Sequence, residues 1–199
     1  MKTVMGAIER VALDPTTYRA RCETIGGVQP RGLCGSAMID VVAKLWRHGI
    51  IYGTGRFNRS LGTQMLRETD SMTEFVLVPG GESATGRDIV VTQRNVNEVQ
   101  RAKAAIYAGC SLLLKRRRLA DGDIAQTLVT GAFGRSLNPE NANRIGLVPN
   151  VPTDRIRFLG NAAVTGAKMA LVSKKTRSEA SELSKRVCYL ELSTDPLFG

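Results

Sequence analysis

The sequence predicts an α/β fold, a mixed sheet with flanking helices, on three observations. The apolar run Thr127-Leu128-Val129-Thr130 drops straight into Gly131-Ala132-Phe133-Gly134, as a buried strand ending in a tight turn does. The same order returns where Ile156-Arg157-Phe158-Leu159 meets Gly160-Asn161 and a helix rich in small residues (Ala162, Ala163, Gly166, Ala167, Ala170). Ahead of both lies a long helical period over residues 93–118, following two strand-like runs. Strand, glycine turn and helix in succession place a ligand at the carboxyl ends of strands. The plainer account, turns that only connect elements, stays open at this point.

Taken in order, residues 7–13 and 18–25 read as two strands. Asp14-Pro15-Thr16-Thr17 between them has turn composition, so a hairpin is expected. Gly32-Leu33-Cys34-Gly35-Ser36 then leads into a helix over 37–47, with Ser36 as N-cap and His48-Gly49 as its stop. Met38, Val42 and Leu45 form one apolar line on it, widened by Ile39 and Trp46. A glycine turn entering a helix can hold an anion on free N–H groups, or it can simply turn the chain.

Residues 52–73 are polar and glycine-dotted, an irregular segment with a short helical turn expected over 64–67. Strands over 74–78 and 88–92, joined by Pro79-Gly80-Gly81, make a second hairpin. The helix over 93–118 takes Thr92 as N-cap. Its apolar stripe runs Val96, Val99, Ile106, Cys110, Leu113, and Lys103 occupies one place in that stripe. A lysine there either snorkels to the edge or points its ammonium into a cleft. Gln100 borders the same face. Asn138 and Pro139 are set as N-cap and first helical position of a short helix. A charged amphipathic helix over 174–186 and a strand over 187–192 close the chain. With neither internal repeat nor low-complexity linker, one compact unit is the simplest account.

Composition narrows the function classes. At 199 residues, 43% apolar and 23% charged, the chain is that of an ordinary globular protein. No apolar run is long enough for a membrane span, and the N-terminus lacks a signal peptide's apolar core, so a cytoplasmic location is expected. Cys22, Cys34, Cys110 and Cys188 form no C-x-x-C pair, and His48 is the single histidine, so neither an iron–sulfur cluster nor a zinc site is encoded. The net charge of +10 raises a nucleic-acid reading. Its densest patch, Lys115-Arg116-Arg117-Arg118, closes the long helix, where cations offset the macrodipole. Aromatics at 5% are too sparse for base-stacking platforms, so a solvated basic surface, or one that meets an anionic ligand or partner, is preferred.

Several segments together resemble one family. They are Thr24-Ile25-Gly26-Gly27, Pro30-Arg31-Gly32-Leu33-Cys34-Gly35-Ser36-Ala37, Ile39-Asp40, Thr54-Gly55-Arg56-Phe57-Asn58 and Thr92-Gln93. Further along come Gln100-Arg101-Ala102-Lys103-Ala104-Ala105-Ile106-Tyr107-Ala108-Gly109, the Gly131 to Gly134 turn, Ile145-Gly146-Leu147-Val148-Pro149 and Gly160-Asn161-Ala162-Ala163. Across nearly the whole chain, this set is similar to the C-terminal portion of reductive activators of corrinoid proteins. Those are ATP-dependent iron–sulfur proteins with a domain of the ASKHA class (acetate and sugar kinase, heat-shock chaperone, actin).

The resemblance implies that residues 1–199 are the C-terminal part of a ribonuclease-H-like, actin-like nucleotide-binding module. In that family, ATP turnover drives electrons from a ferredoxin domain onto cobalt(II) corrinoid. By position, Gly131, Ala132, Phe133 and Gly134 would match the adenosine loop, facing the helix that carries Gln100 and Lys103. Gly160 and Asn161 would open the second connecting helix. The implied ligand is ATP, with Mg²⁺ held by upstream loops. The implied partner is the corrinoid protein of a methyltransferase system, and a homodimer is a further expectation. The Asp-x-Gly-Thr phosphate hairpins and the ferredoxin cysteines have no counterpart here, Ala37 replaces the usual glycine, and Asn95 the usual aspartate. The chain is therefore expected to be a fragment of a longer protein, with no catalytic residue assigned to it and no ATPase activity alone. An interaction or dimerisation module with a decayed nucleotide site, and a basic nucleic-acid-binding domain, are the alternatives.

Overall fold

In the computed structural model, residues 4–70, 72–131, 137–192 and 194–195 are described. They form two compact units, one of Met1–Ile106 with Ser136–Val148, the other of Tyr107–Arg135 with Pro149–Gly199. The boundary falls inside a helix rather than a linker, which is why composition carries no trace of it.

In the first unit, Ala7–Leu13 (β1) and Ala20–Thr24 (β2) pair antiparallel. The turn between them closes on Asp14, whose Oδ1 accepts from the Thr16 N–H at 3.0 Å and the Thr17 N–H at 2.7 Å. Gly32–Leu33 (β3) runs parallel to β1 on its other edge, so this sheet is mixed.

Gly35–Arg47 (α1) begins earlier than the sequence predicts. Cys34 takes the capping position, and Ser36 lies inside the helix, buried, with its Oγ 3.1 Å from Cys34 Sγ. The face α1 buries is also wider than the apolar line through Met38, because Ala37, Val41 and Ala43 are fully buried while Trp46 remains 41% exposed.

The second sheet is antiparallel, Leu66–Glu68 (β4), Thr73–Val78 (β5) and Ile89–Thr92 (β6) in that order. Of the helical turn expected over 64–67, residues 64–65 form a turn, while Leu66 and Arg67 belong to a strand. Arg67 explains it, since its guanidinium reaches Glu74 on β5 at 2.7 Å and Asp88 at 2.8 Å, contacts a helical turn would forfeit. Central β5 is buried along its whole length, and its Phe75 and Leu77 join Ile8, Val41, Leu45 and Ile50 in one core.

Gln93–Arg117 (α2) starts where expected, with Thr92 Oγ1 accepting from the Asn95 N–H at 3.2 Å and Asn95 Oδ1 accepting from Thr92 N at 3.0 Å. Its predicted stripe does not stay on one face. Val96 is buried and Val99 half-buried, but Ile106 and Leu113 are exposed, and Leu112 is buried instead. A stripe with steps of three and four drifts by about 20° per heptad around a straight helix. Pro139–Arg144 (α3) is capped by Asn138 Oδ1, which accepts from Asn141 N at 2.9 Å, and it packs on α1.

In the second unit, Thr127–Thr130 (β7) and Ile156–Gly160 (β8) are parallel. Ala162–Val172 (α4) and Lys174–Arg186 (α5) follow, divided at Ser173, whose Oγ accepts from the Thr176 N–H at 3.2 Å. Arg177 turns back to donate to the Ala170 and Leu171 carbonyls at 3.1 and 3.2 Å, satisfying the open end of α4. The strand expected over 187–192 does not form among the described residues. Val187 and Tyr189 are 73% and 84% exposed, and without a neighbouring ladder an alternating pattern has nothing to pair with.

Candidate functional site

The segment joining α1 to β4 is irregular but tightly held. Ile51 bridges Phe57, Tyr52 N donates to the Arg56 carbonyl at 2.8 Å, and Gly55 N donates to the Tyr52 carbonyl at 2.8 Å. Gln93, at the start of α2, fastens this turn from outside. Its Nε2 donates to the Gly55 carbonyl at 2.8 Å and its Oε1 accepts from Phe57 N at 3.3 Å.

The fastening brings the turn against α2. Gly55 has φ +80°, and a Cβ built there would sit 2.3 Å from Gln100 Nε2, so only glycine lets the two approach this closely. A shallow pocket of about 50 Å³ results, with Val42, Trp46 and Ile51 on one side and Val96, Gln100 and Lys103 on the other. Lys103 is half-buried here, one turn beyond half-buried Val99. Neither its ammonium nor the Gln100 amide has a partner among the described residues, so both keep hydrogen-bonding capacity toward a ligand.

The remaining predicted residues belong to the second unit. Gly131 has φ +119° and its N–H donates to the Gly160 carbonyl at 2.8 Å. Thr130 Oγ1 donates to that same carbonyl at 3.0 Å and accepts from Ala162 N at 3.1 Å. Gly160 has φ +64°, and Asn161 caps α4 by accepting from Val164 N at 3.2 Å. The structure thus gathers Gly131, Gly160 and Asn161 at the ends of β7 and β8. Among the described residues, a Cβ at Gly131 or Gly160 would meet no atom within 4 Å, and both glycines hold a positive φ that a side chain disfavours. Ala132, Phe133 and Gly134 lie outside the described residues.

Metal chemistry finds no donor set here. Among the described residues no group of three His, Cys, Asp or Glu side chains is placed to hold an ion. No helix among them is long and apolar enough to cross a membrane.

Sequence reasoning passed over two clusters. One is a cleft lined by Arg56, Arg59, Gln93 and Asn97; its signal lay in the Thr54-Gly55-Arg56-Phe57 run, which polarity alone marks as loop. The other is buried. Asp40 Oδ2 accepts from Lys44 Nζ at 2.6 Å and Val11 N at 3.4 Å, while its Oδ1 accepts from Asn141.

Comparison with known proteins agrees with this architecture. A family described as the C-terminal domain of RACo, the ASKHA domain, matches residues 1–199. A corrinoid activation enzyme, RamQ of Eubacterium limosum, is 36% identical over 207 residues, covering 100% of this chain and 34% of the relative. The [Co(II) methylated amine-specific corrinoid protein] reductase of Methanosarcina barkeri is 25% identical over 175 residues, covering 87% of this chain and 28% of the relative. A solved structure of a reductive activator for corrinoid, iron–sulfur protein superposes with a TM-score of 0.93 at 37% identity, over 100% of this chain and 32% of that one. The chain spans about a third of the length of the relatives it matches.

Proposed function

Because the chain belongs to the family of C-terminal, ASKHA domains of RACo, we propose that it serves the adenosine end of ATP within a reductive activator of corrinoid proteins. The whole protein would use ATP to drive electrons onto cobalt(II) corrinoid, and its partner would be the corrinoid protein of a methyltransferase system. The observation that carries the nucleotide reading is the pair Gln100 and Lys103, both without partners among the described residues and both lining one largely apolar pocket. An apolar wall with a few convergent polar groups is the usual form of a small-molecule site. In the second unit the proposed adenosine-side residues are Gly131 through Gly134, with Gly160 and Asn161. Mg²⁺ and the γ-phosphate would be positioned by groups outside these residues, because phosphoryl transfer needs them and no Asp-x-Gly-Thr hairpin is present.

The test is a titration of the chain with a fluorescent adenosine nucleotide. Lys103→Ala is expected to weaken binding about fivefold, the loss of one partly exposed charged hydrogen bond at roughly 1 kcal/mol. Equal binding by the variant would remove Lys103 from the site. A random oligonucleotide at two salt concentrations tests the nucleic-acid alternative, which requires binding that weakens steeply with salt. A chain that binds a corrinoid protein but no nucleotide would favour the interaction module, a reading the exposed Leu171 and Val172 of α4 support (76% and 84% exposed).

A further inference from the structure

The geometry points to a second ligand site in the first unit, a cleft that binds a phosphorylated small molecule through Arg56 and Arg59. This cleft, about 500 Å³, is distinct from the pocket of Lys103, though the two share Tyr52. Its volume suits a small molecule rather than a lone ion. Among the described residues no carboxylate lines it.

The cleft wall offers more free donors than free acceptors, which points to an anionic ligand. The acceptors on the cleft wall are engaged, Asn97 Oδ1 by Gln93 Nε2 at 3.0 Å and Thr73 Oγ1 by the Arg59 guanidinium at 3.1 Å. Gln93 is itself spent at both ends of its amide on the 55–57 turn. The Tyr52 hydroxyl donates to Asn58 Oδ1 at 2.7 Å. Donors are what remain. Arg59 keeps N–H groups beyond those given to Thr73 and to Glu68, which it meets at 2.9 Å. Asn97 keeps its amide hydrogens, and the Arg56 guanidinium has no partner among the described residues.

Two guanidiniums with spare N–H pairs match the oxygens of a phosphoryl group, whose double charge Arg56 and a half-compensated Arg59 answer better than they answer a single carboxylate. The backbone that presents Arg56 is fixed on both sides, by the Gly55 carbonyl and the Phe57 N–H held on Gln93. Such a cation is preorganised to meet its ligand.

The experiment titrates the chain with inorganic pyrophosphate at constant ionic strength, followed by calorimetry. Saturable binding is expected, at least tenfold weaker in Arg56→Ala and within twofold of the parent in Lys103→Ala. Arg56 is exposed and has no partner among the described residues, so its removal should leave the thermal midpoint unchanged, and that is measured alongside. Pyrophosphate binding no stronger than that of matched chloride overturns the site, as does full binding by Arg56→Ala. Equal weakening by Lys103→Ala would assign the anion to the neighbouring pocket and overturn a second site. An oligoglutamate peptide binding more tightly than pyrophosphate would overturn the phosphate assignment in favour of an acidic protein surface.

Discussion

Asn141, at the third position of α3, donates its side-chain amide to Asp40 of α1 across 101 positions of sequence. Both residues are buried, at 7% and 4% exposure. The same carboxylate takes Lys44 and the Val11 N–H, and Lys44 in turn donates to the Val11 carbonyl. One buried charge therefore ties β1, α1 and α3 together, and it is affordable because every partner is present. Asp40→Ala strips Lys44 of its counter-ion and Asn141 of its acceptor and is expected to cost about 3 kcal/mol. Asn141→Ala removes one bond and keeps the ion pair, so about 1–2 kcal/mol is expected. Urea denaturation of the two variants checks the order; an Asp40→Ala midpoint equal to the parent's would show the network to be idle.

Acid should loosen the β4–β5–β6 sheet. The Asp88 carboxyl is held below its ordinary value of 3.8, first by the Gly80 N–H at 2.6 Å and then by Arg67 at 2.8 Å. The Asp14 carboxyl is lowered too, by the Thr17 and Thr16 N–H groups. A depressed folded pKa contributes stability above the unfolded value, and that contribution is lost as pH falls through the folded one. The thermal midpoint is therefore expected to fall as pH drops below about 4. Asp88→Asn should show a shallower acid slope than the parent, and parallel slopes would refute the assignment.

Local signals made much of this architecture readable, and long-range ones hid the rest. The β1–β2 hairpin, α3 with its Asn138 cap, and β8 followed by α4 each declare themselves within a dozen residues, through turn chemistry, caps and apolar runs. The strand β4 does not, because Leu66-Arg67-Glu68 is a strand only by virtue of Glu74 and Asp88, which Arg67 reaches. The run Val187 to Leu192 has a strand's alternation and, among the described residues, no partner to pair with. At the candidate site, the period of α2 marked Lys103. The role of Gln93 stayed hidden, since its two bonds reach Gly55 and Phe57, 38 and 36 positions away.

The cysteines should label in a fixed order. Burial, with Glu82 adding to it, pushes the Cys22 thiol up to about 11, and burial followed by Asp121 raises Cys110. Cys34 is buried and Cys188 is exposed. Since the thiolate is the reacting species, one equivalent of Ellman's reagent should react quickly at pH 8, at Cys188. Cys188→Ser should abolish the fast phase. A fast phase of two equivalents in the folded parent would contradict the raised pKa of half-buried Cys22 and Cys110.

Gly55 joins stability to the proposed nucleotide site. Its φ of +80° is strained for any residue with a Cβ, and the added atom would press on Gln100 at 2.3 Å. The Gln100 amide is the far end of a flexible side chain and can swing away, so crowding alone is cheap. The backbone cannot swing, because the Gly55 carbonyl is held by Gln93 at 2.8 Å and the Gly55 N–H by the Tyr52 carbonyl at 2.8 Å. Gly55→Ala is therefore expected to cost about 1–2 kcal/mol, the penalty of a left-handed conformation. The displaced Gln100 leaves the pocket it shares with Lys103, so adenosine nucleotide should bind several-fold more weakly. Gln100→Ala separates the two effects, since it frees space for the Cβ without touching φ. The double variant Gly55→Ala/Gln100→Ala should keep the whole stability loss of Gly55→Ala, and restored stability would show that crowding, not conformation, makes glycine necessary here.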